Sequence, residues 1–152
     1  MSSKNKINKL FSNQGIMNKI IVKETGAGYA HASAGRISNF DGKLFMKEAV
    51  GATSCEISIG TLPCGASVPF FHSHKADEEI YIILSGAGRF QAGDDVFDIS
   101  EGSVVRISTG CDRNLKCESE APMTYICIQA RENSLETHTM DDAVISERES
   151  LL

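Results

Sequence analysis

The sequence predicts an all-β protein, a sandwich or barrel of short strands in a single domain. Two observations carry that expectation. Segments rich in β-branched and aromatic residues recur at spacings of roughly eight to twelve residues between glycine-containing turns. No segment shows a long apolar period of 3.6 residues, as an amphipathic helix would require. The length of 152 residues suits one domain, with enough chain to bury a core without disulfides or a structural metal.

Residues 1–16 are polar, Lys/Asn/Ser-rich and aperiodic, and are expected to form a disordered N-terminal extension. Met17 opens "MNKIIVKE", the expected start of a folded domain over residues 17–135. "KIIVK" is the first candidate strand. "GKLFMKEAV" (42–50) is the second, after an Asp-Gly turn. "TSCEISIGTL" (53–62) alternates, with Cys55, Ile57 and Ile59 on one face and Ser54, Glu56 and Ser58 on the other. "LPCGASVP" is a loop, broken by glycine and two prolines. "EIYIILSG" is apolar on both faces, as in a strand inside a sandwich or barrel. Turns at "SGAG" and "AGDD" separate it from "RFQA" and "VFDIS". "SEGSVVRIS" is a strand after a Glu-Gly turn, "TGCDRN" a loop, and "MTYICIQA" (123–130) the last strand. Residues 136–152 are a polar tail, with one short strand or helical turn expected at "DDAVISERE".

A net charge of −5 gives no electrostatic case for nucleic acid. No apolar run reaches the length of a membrane span, and no apolar segment follows the N-terminal lysines as a secretory signal requires. A cytoplasmic protein is expected. The five cysteines form no C-x-x-C pair and are read as small buried hydrophobes, Cys127 in the core and Cys111 the most exposed.

The chemistry lies in "FFHSHKADEEIYIILSGAG" (70–88). Residues at i and i+2 of an extended chain point the same way, so His72 and His74 share a face. "KADE" is a natural turn that returns Glu79 beside them, with Tyr81 and Ile83 on the same side and Glu78 on the opposite one. Two imidazoles and one carboxylate suit a divalent transition metal (Fe, Mn, Ni or Zn, and also Cu), with coordination positions left for water or substrate. The competing assignment is two solvated histidines on an acidic loop.

These residues resemble the first motif of the cupin superfamily: His-x-His, three or four residues, Glu, six residues, Gly. His72, His74, Glu79 and Gly86 fit it, and Gly65 stands for the upstream glycine, one residue farther out than usual. The second motif runs Gly, five residues, Pro-x-Gly, two residues, His, three residues, Asn. "GSVVRISTGCDRNLKC" is similar to it at Gly102 and Gly110. It departs with Ser108 for Pro, Arg113 for the fourth metal ligand His, and Cys117 for Asn. The resemblance covers roughly residues 45–130. It implies a double-stranded β-helix, or jelly-roll barrel, with the metal inside, and often a homodimer. It also implies oxygenase, isomerase, decarboxylase or lyase chemistry on a small, anionic molecule.

A guanidinium cannot ligate a metal. Arg113 therefore has three candidate placements: a shell beyond the metal, anchoring a substrate anion; paired with Glu79 in a metal-free binding pocket; or facing solvent beside Asp112. Cys111, Asp112, Gln129, His31 and His138 carry donor atoms for a replacement fourth ligand, without any pattern that places them. Tyr81 and Tyr125 are candidates to line a pocket, Tyr81 as a substrate contact. Arg89 and Arg106 belong to an outer face or a dimer contact. Three function classes follow: a metal-dependent enzyme, a non-catalytic small-molecule binding module, and a structural dimer.

Overall fold

The computed structural model describes residues 20–37, 42–137 and 142–152. The expected disordered extension and the Met17 boundary lie outside the described residues. Among the described residues, ten strands and one short helix follow one another. They are β1 (Ile21–Gly26), β2 (Tyr29–Ser33), β3 (Gly42–Phe45), α1 (Lys47–Val50), β4 (Cys55–Leu62), β5 (Asp77–Ser85), β6 (Ala87–Ala92), β7 (Asp95–Ser100), β8 (Val104–Ile107), β9 (Arg113–Cys117) and β10 (Met123–Arg131).

β3-β4-β10-β5-β8 form a five-stranded antiparallel sheet and β7-β6-β9 a three-stranded one. Between them lies one core. Tyr81, Ile83, Phe90, Ile99, Leu115, Met123, Tyr125 and Cys127 are all buried in it. The chain turns from β5 into β6 at Gly86, whose φ of 81° is left-handed and favours glycine. A Cβ there would also lie 2.8 Å from the Met123 backbone. β1 and β2 form a separate two-stranded hairpin, with every residue of β1 exposed.

Several sequence expectations change. The segment 42–50 is not one strand. β3 ends at Phe45, and Lys47–Val50 form a helical turn closed by Gly51 in the left-handed conformation. The Glu56 carboxylate accepts the N–H groups of Met46 and Lys47, which commits the backbone to that turn. β2 ("YAHAS") and β9 ("RNLKC") were not expected, because Ala, His, Asn and Lys carry little strand signal. On β4 the buried side is that of Ser58 and Gly60, and Ile57 and Ile59 are only half-buried. The ring of Tyr125 fills the space over Gly60, where a Cβ would come within 2.2 Å of it. Cys111 is half-buried against the core, and Cys64 is the exposed thiol. In the tail, residues 143–152 form neither strand nor helix.

Candidate functional site at the mouth of the barrel

Two chain segments meet at one end of the core. The stretch before β5 runs alongside β9: the Arg113 amide donates to the His72 carbonyl at 3.1 Å, and the Gly110 amide to the His74 carbonyl at 2.9 Å. Asn114 Nδ2 holds the carbonyls of Val68 (2.8 Å) and Phe70 (3.2 Å). The residues leading to His72 are thereby extended and fixed. Their imidazoles fall on one side, with ring centroids 5.5 Å apart. Glu79 sits on the inward face of β5, level with Gln129 of β10 and Ile107 of β8.

His72, His74 and Glu79 each turn a ligand atom to a common point, all within 4.8 Å of one another. His74 Nε2 lies 3.0 Å from Glu79 Oε1. Tyr81 donates its hydroxyl proton to Glu79 Oε2 at 2.6 Å. Arg113 donates to the same oxygen from Nε at 3.0 Å and from Nη2, and its Nη1 donates to the His72 carbonyl at 2.8 Å. Arg113 is 1% exposed and Glu79 3%.

Electrostatics follow from this packing. Burial alone would raise the Glu79 carboxyl. The Tyr81 hydroxyl, the Arg113 charge and the His74 ring overcome it and hold the group down at about 2. Burial, aided by the Arg113 charge, lowers His72 to about 4. Burial pushes the Cys127 thiol up to about 11 and the Tyr81 and Tyr125 phenols upward. None of these three is a ready nucleophile at neutral pH.

The site residues open on a cavity of about 280 Å³. Apolar groups dominate its wall, among them Phe45, Leu62, Phe70, Leu115 and Tyr125. Among the sequence candidates, Tyr81, Tyr125 and Gln129 line this cavity, and Gln129 Nε2 is held by Asp77 at 2.7 Å. Cys111, Asp112 and His31 are not in its wall. His138 lies outside the described residues. Arg89 and Arg106 are on the outside, paired with Glu118 and with Glu78 and Glu132. Glu78 is on the outer side, as the alternation required. Arg113 does not face solvent, and it contacts Glu79 directly rather than standing a shell away. Sequence reasoning missed Lys43, which also lines the cavity.

The donor set fits a divalent metal. Nitrogen and carboxylate donors converge, and His72 Nδ1 is buried with no hydrogen-bond partner. A buried polar atom normally has a partner, and a metal ion would supply one.

A search of solved structures finds a cupin protein from Bacteroides fragilis at 36% identity and a TM-score of 0.72, covering 78% of this chain and 98% of that one. The chain belongs to the cupin superfamily. The family model described as "Cupin domain" matches residues 58–129 of this cupin. Two more distant structures share the fold alone. One is a proposed sugar phosphate isomerase from Acidithiobacillus ferrooxidans (21% identity, TM-score 0.54, 59% of this chain and 58% of that one). The other is a Klebsiella pneumoniae protein with a double-stranded β-helix domain (14% identity, TM-score 0.50, 55% of this chain and 72% of that one). Among curated protein sequences no match is found.

Proposed function

We propose that this cupin binds one divalent transition metal (Fe, Mn, Ni or Zn) through His72, His74 and Glu79 and presents it to a small molecule in the cavity. The convergence of three donor groups beside a buried, unpartnered His72 nitrogen carries this reading. When bound, the metal would supply Lewis acidity, or oxygen binding if it is iron.

The chain's own residues prepare the site. Tyr81 and Arg113 hold Oε2 of Glu79, so Oε1 is the oxygen turned to His74. Arg113 stands where the family's fourth ligand is usual and fixes a ligand instead of being one. Apolar side chains dominate the rest of the wall. The test is elemental analysis and Zn(II) titration calorimetry on the full chain, with His72→Ala alongside. About one metal per chain is expected in the wild type, with at least a hundredfold weaker binding in the variant. Equal metal content in both would overturn the reading.

A second reading has its own support. The Arg113 guanidinium already neutralises Glu79, which suits a pocket that binds without metal. Ligand-dependent stabilisation that survives a chelator would favour it. We further propose that the protein is a cytoplasmic homodimer, joined through the isoleucine-rich outer face of the five-stranded sheet.

A further inference from the structure

Lys43 is an unusual residue for its position. It lies on β3 opposite Gly60 of β4, which in turn lies opposite Tyr125 of β10. Residues paired across antiparallel strands point to the same face. Tyr125 is buried in the core, so Lys43 belongs to the inward row. It is half-buried and lines the same cavity as the histidines. Its Nζ lies over the Phe45 ring at 5.4 Å from the centroid, and Phe45 is also in the cavity wall. No carboxylate among the described residues stands within ion-pair distance of it.

A count of charges sharpens the point. The charged side chains in the cavity wall, apart from the histidines, are Glu79, Arg113 and Lys43. Glu79 and Arg113 cancel within one ion pair, and Arg113 spends its Nε, Nη1 and Nη2 on Glu79 and the His72 carbonyl. Among the described residues, Lys43 is left as the uncompensated cation of the wall. A half-buried ammonium held over the Phe45 ring can meet an anion that water only partly screens.

We infer that Lys43 is the anion anchor of this cavity, and that the ligand is a small monoanion, a carboxylate on a compact apolar body. The ring or alkyl part fits the wall of Leu62, Phe70 and Leu115, and the carboxylate meets the Lys43 ammonium beside Phe45. The cavity, at about 280 Å³, lies at the small end of ligand pockets, which favours a compact body of one or two rings. This inference rests on the reading of the cavity as a small-molecule site, and it assigns to Lys43 the role that the sequence suggested for Arg113.

The test uses benzoate and its neutral isostere benzamide on the full chain. The protein is treated with chelator, so that a metal ion cannot hold the carboxylate itself. Binding is read by titration with NMR detection of the tyrosine ring signals. Wild type is expected to prefer benzoate by about tenfold, the size of one charge-assisted hydrogen bond at a partly solvated site. Lys43→Gln should abolish that preference, bringing the ratio of the two affinities to about one. Lys43→Arg should keep most of it. Equal benzoate preference in wild type and Lys43→Gln would overturn the anchor and leave the cavity reading intact. Absence of binding by either probe would overturn the cavity reading and the anchor with it. In neither case is the metal proposal touched, because metal binding is measured separately on His72→Ala.

Discussion

On the inner face of the five-stranded sheet, β4, β10 and β5 present Ser58, Gly60, Cys127, Gln129, Glu79 and Tyr81. On the outer face the same three strands present Ile57, Ile59, Ile126, Ile128, Ile80 and Ile82. The isoleucines lie in register as two rows, Ile57–Ile128–Ile80 and Ile59–Ile126–Ile82, all half-buried. At this end the inner face mixes polar groups with core residues, while the outer face carries isoleucines. The inner face tolerates polar groups because each is satisfied: Ser58 donates to the Cys127 carbonyl at 3.2 Å, and Glu79 accepts from Tyr81 and Arg113. The outer face needs no such partners. Its isoleucines are already half-buried within the chain, and what remains exposed of such a patch is where an interface would form. On the proposals made above, the interior near the mouth serves a ligand and the exterior a second copy, with Phe90, Met123 and Ile83 in the packed core.

The largest expected effect breaks the inner face. Glu79→Ala leaves the Arg113 charge buried and unpaired, and should cost about 3–5 kcal/mol in urea unfolding. Replacing both partners, Glu79→Leu with Arg113→Met, should recover most of that loss, because no charge is then stranded. A single-mutant cost below about 1 kcal/mol would show that the pair is solvated.

A smaller effect separates the two faces on a single strand. Ile83, 1% exposed, should cost about 2–5 kcal/mol on truncation to alanine. Ile82→Ala, beside it on the outer face, should cost a comparable amount if a second copy covers the isoleucines, and the loss should then depend on protein concentration. A cost under about half that of Ile83→Ala, with no concentration dependence and a monomer by light scattering, would sink the dimer.

The smallest effect is in pH. His72 is held near 4 in the folded protein against an ordinary 6.5, so its contribution to stability is complete above 6.5. It is lost as pH falls toward 4, because the unfolded chain takes the proton first. Glu79 adds a second loss, from its ordinary 4.5 down to about 2. The melting temperature of chelator-treated protein should therefore begin to fall below about pH 6.5. His72→Asn should flatten the limb between 6.5 and 4. A flat profile down to pH 4.5 in the wild type would contradict the burial of His72.

Much of the wall was legible in the chain. β4, β5 and β10 carry β-branched residues with a period of two, and glycines mark the turns at Gly86, Gly93 and Gly102, each with positive φ. The His72, His74 and Glu79 grouping was legible because it is local: an i, i+2 pair and a turn bring the three together within eight residues of chain. β9 was not legible. "RNLKC" has the buried-exposed alternation of a strand but spells it with Arg113, Leu115 and Cys117 inward, and a buried arginine carries no apolar signal. Lys43 was hidden for the same reason: it falls within a candidate strand, but a lysine carries no apolar signal that would turn it inward.

The sequence by itself determined the fold class, the superfamily and the convergence of two histidines with a carboxylate, because each depends on spacing within short segments. Only the tertiary structure decided that Arg113 belongs to Glu79, 34 residues away, that Lys43 points inward, and that the isoleucines face out. A strand's side chains alternate strictly, so a register one residue different would exchange its two faces. That register is set by pairing with distant strands, and a local pattern that is apolar on both faces, as in "EIYIILSG", does not choose between them.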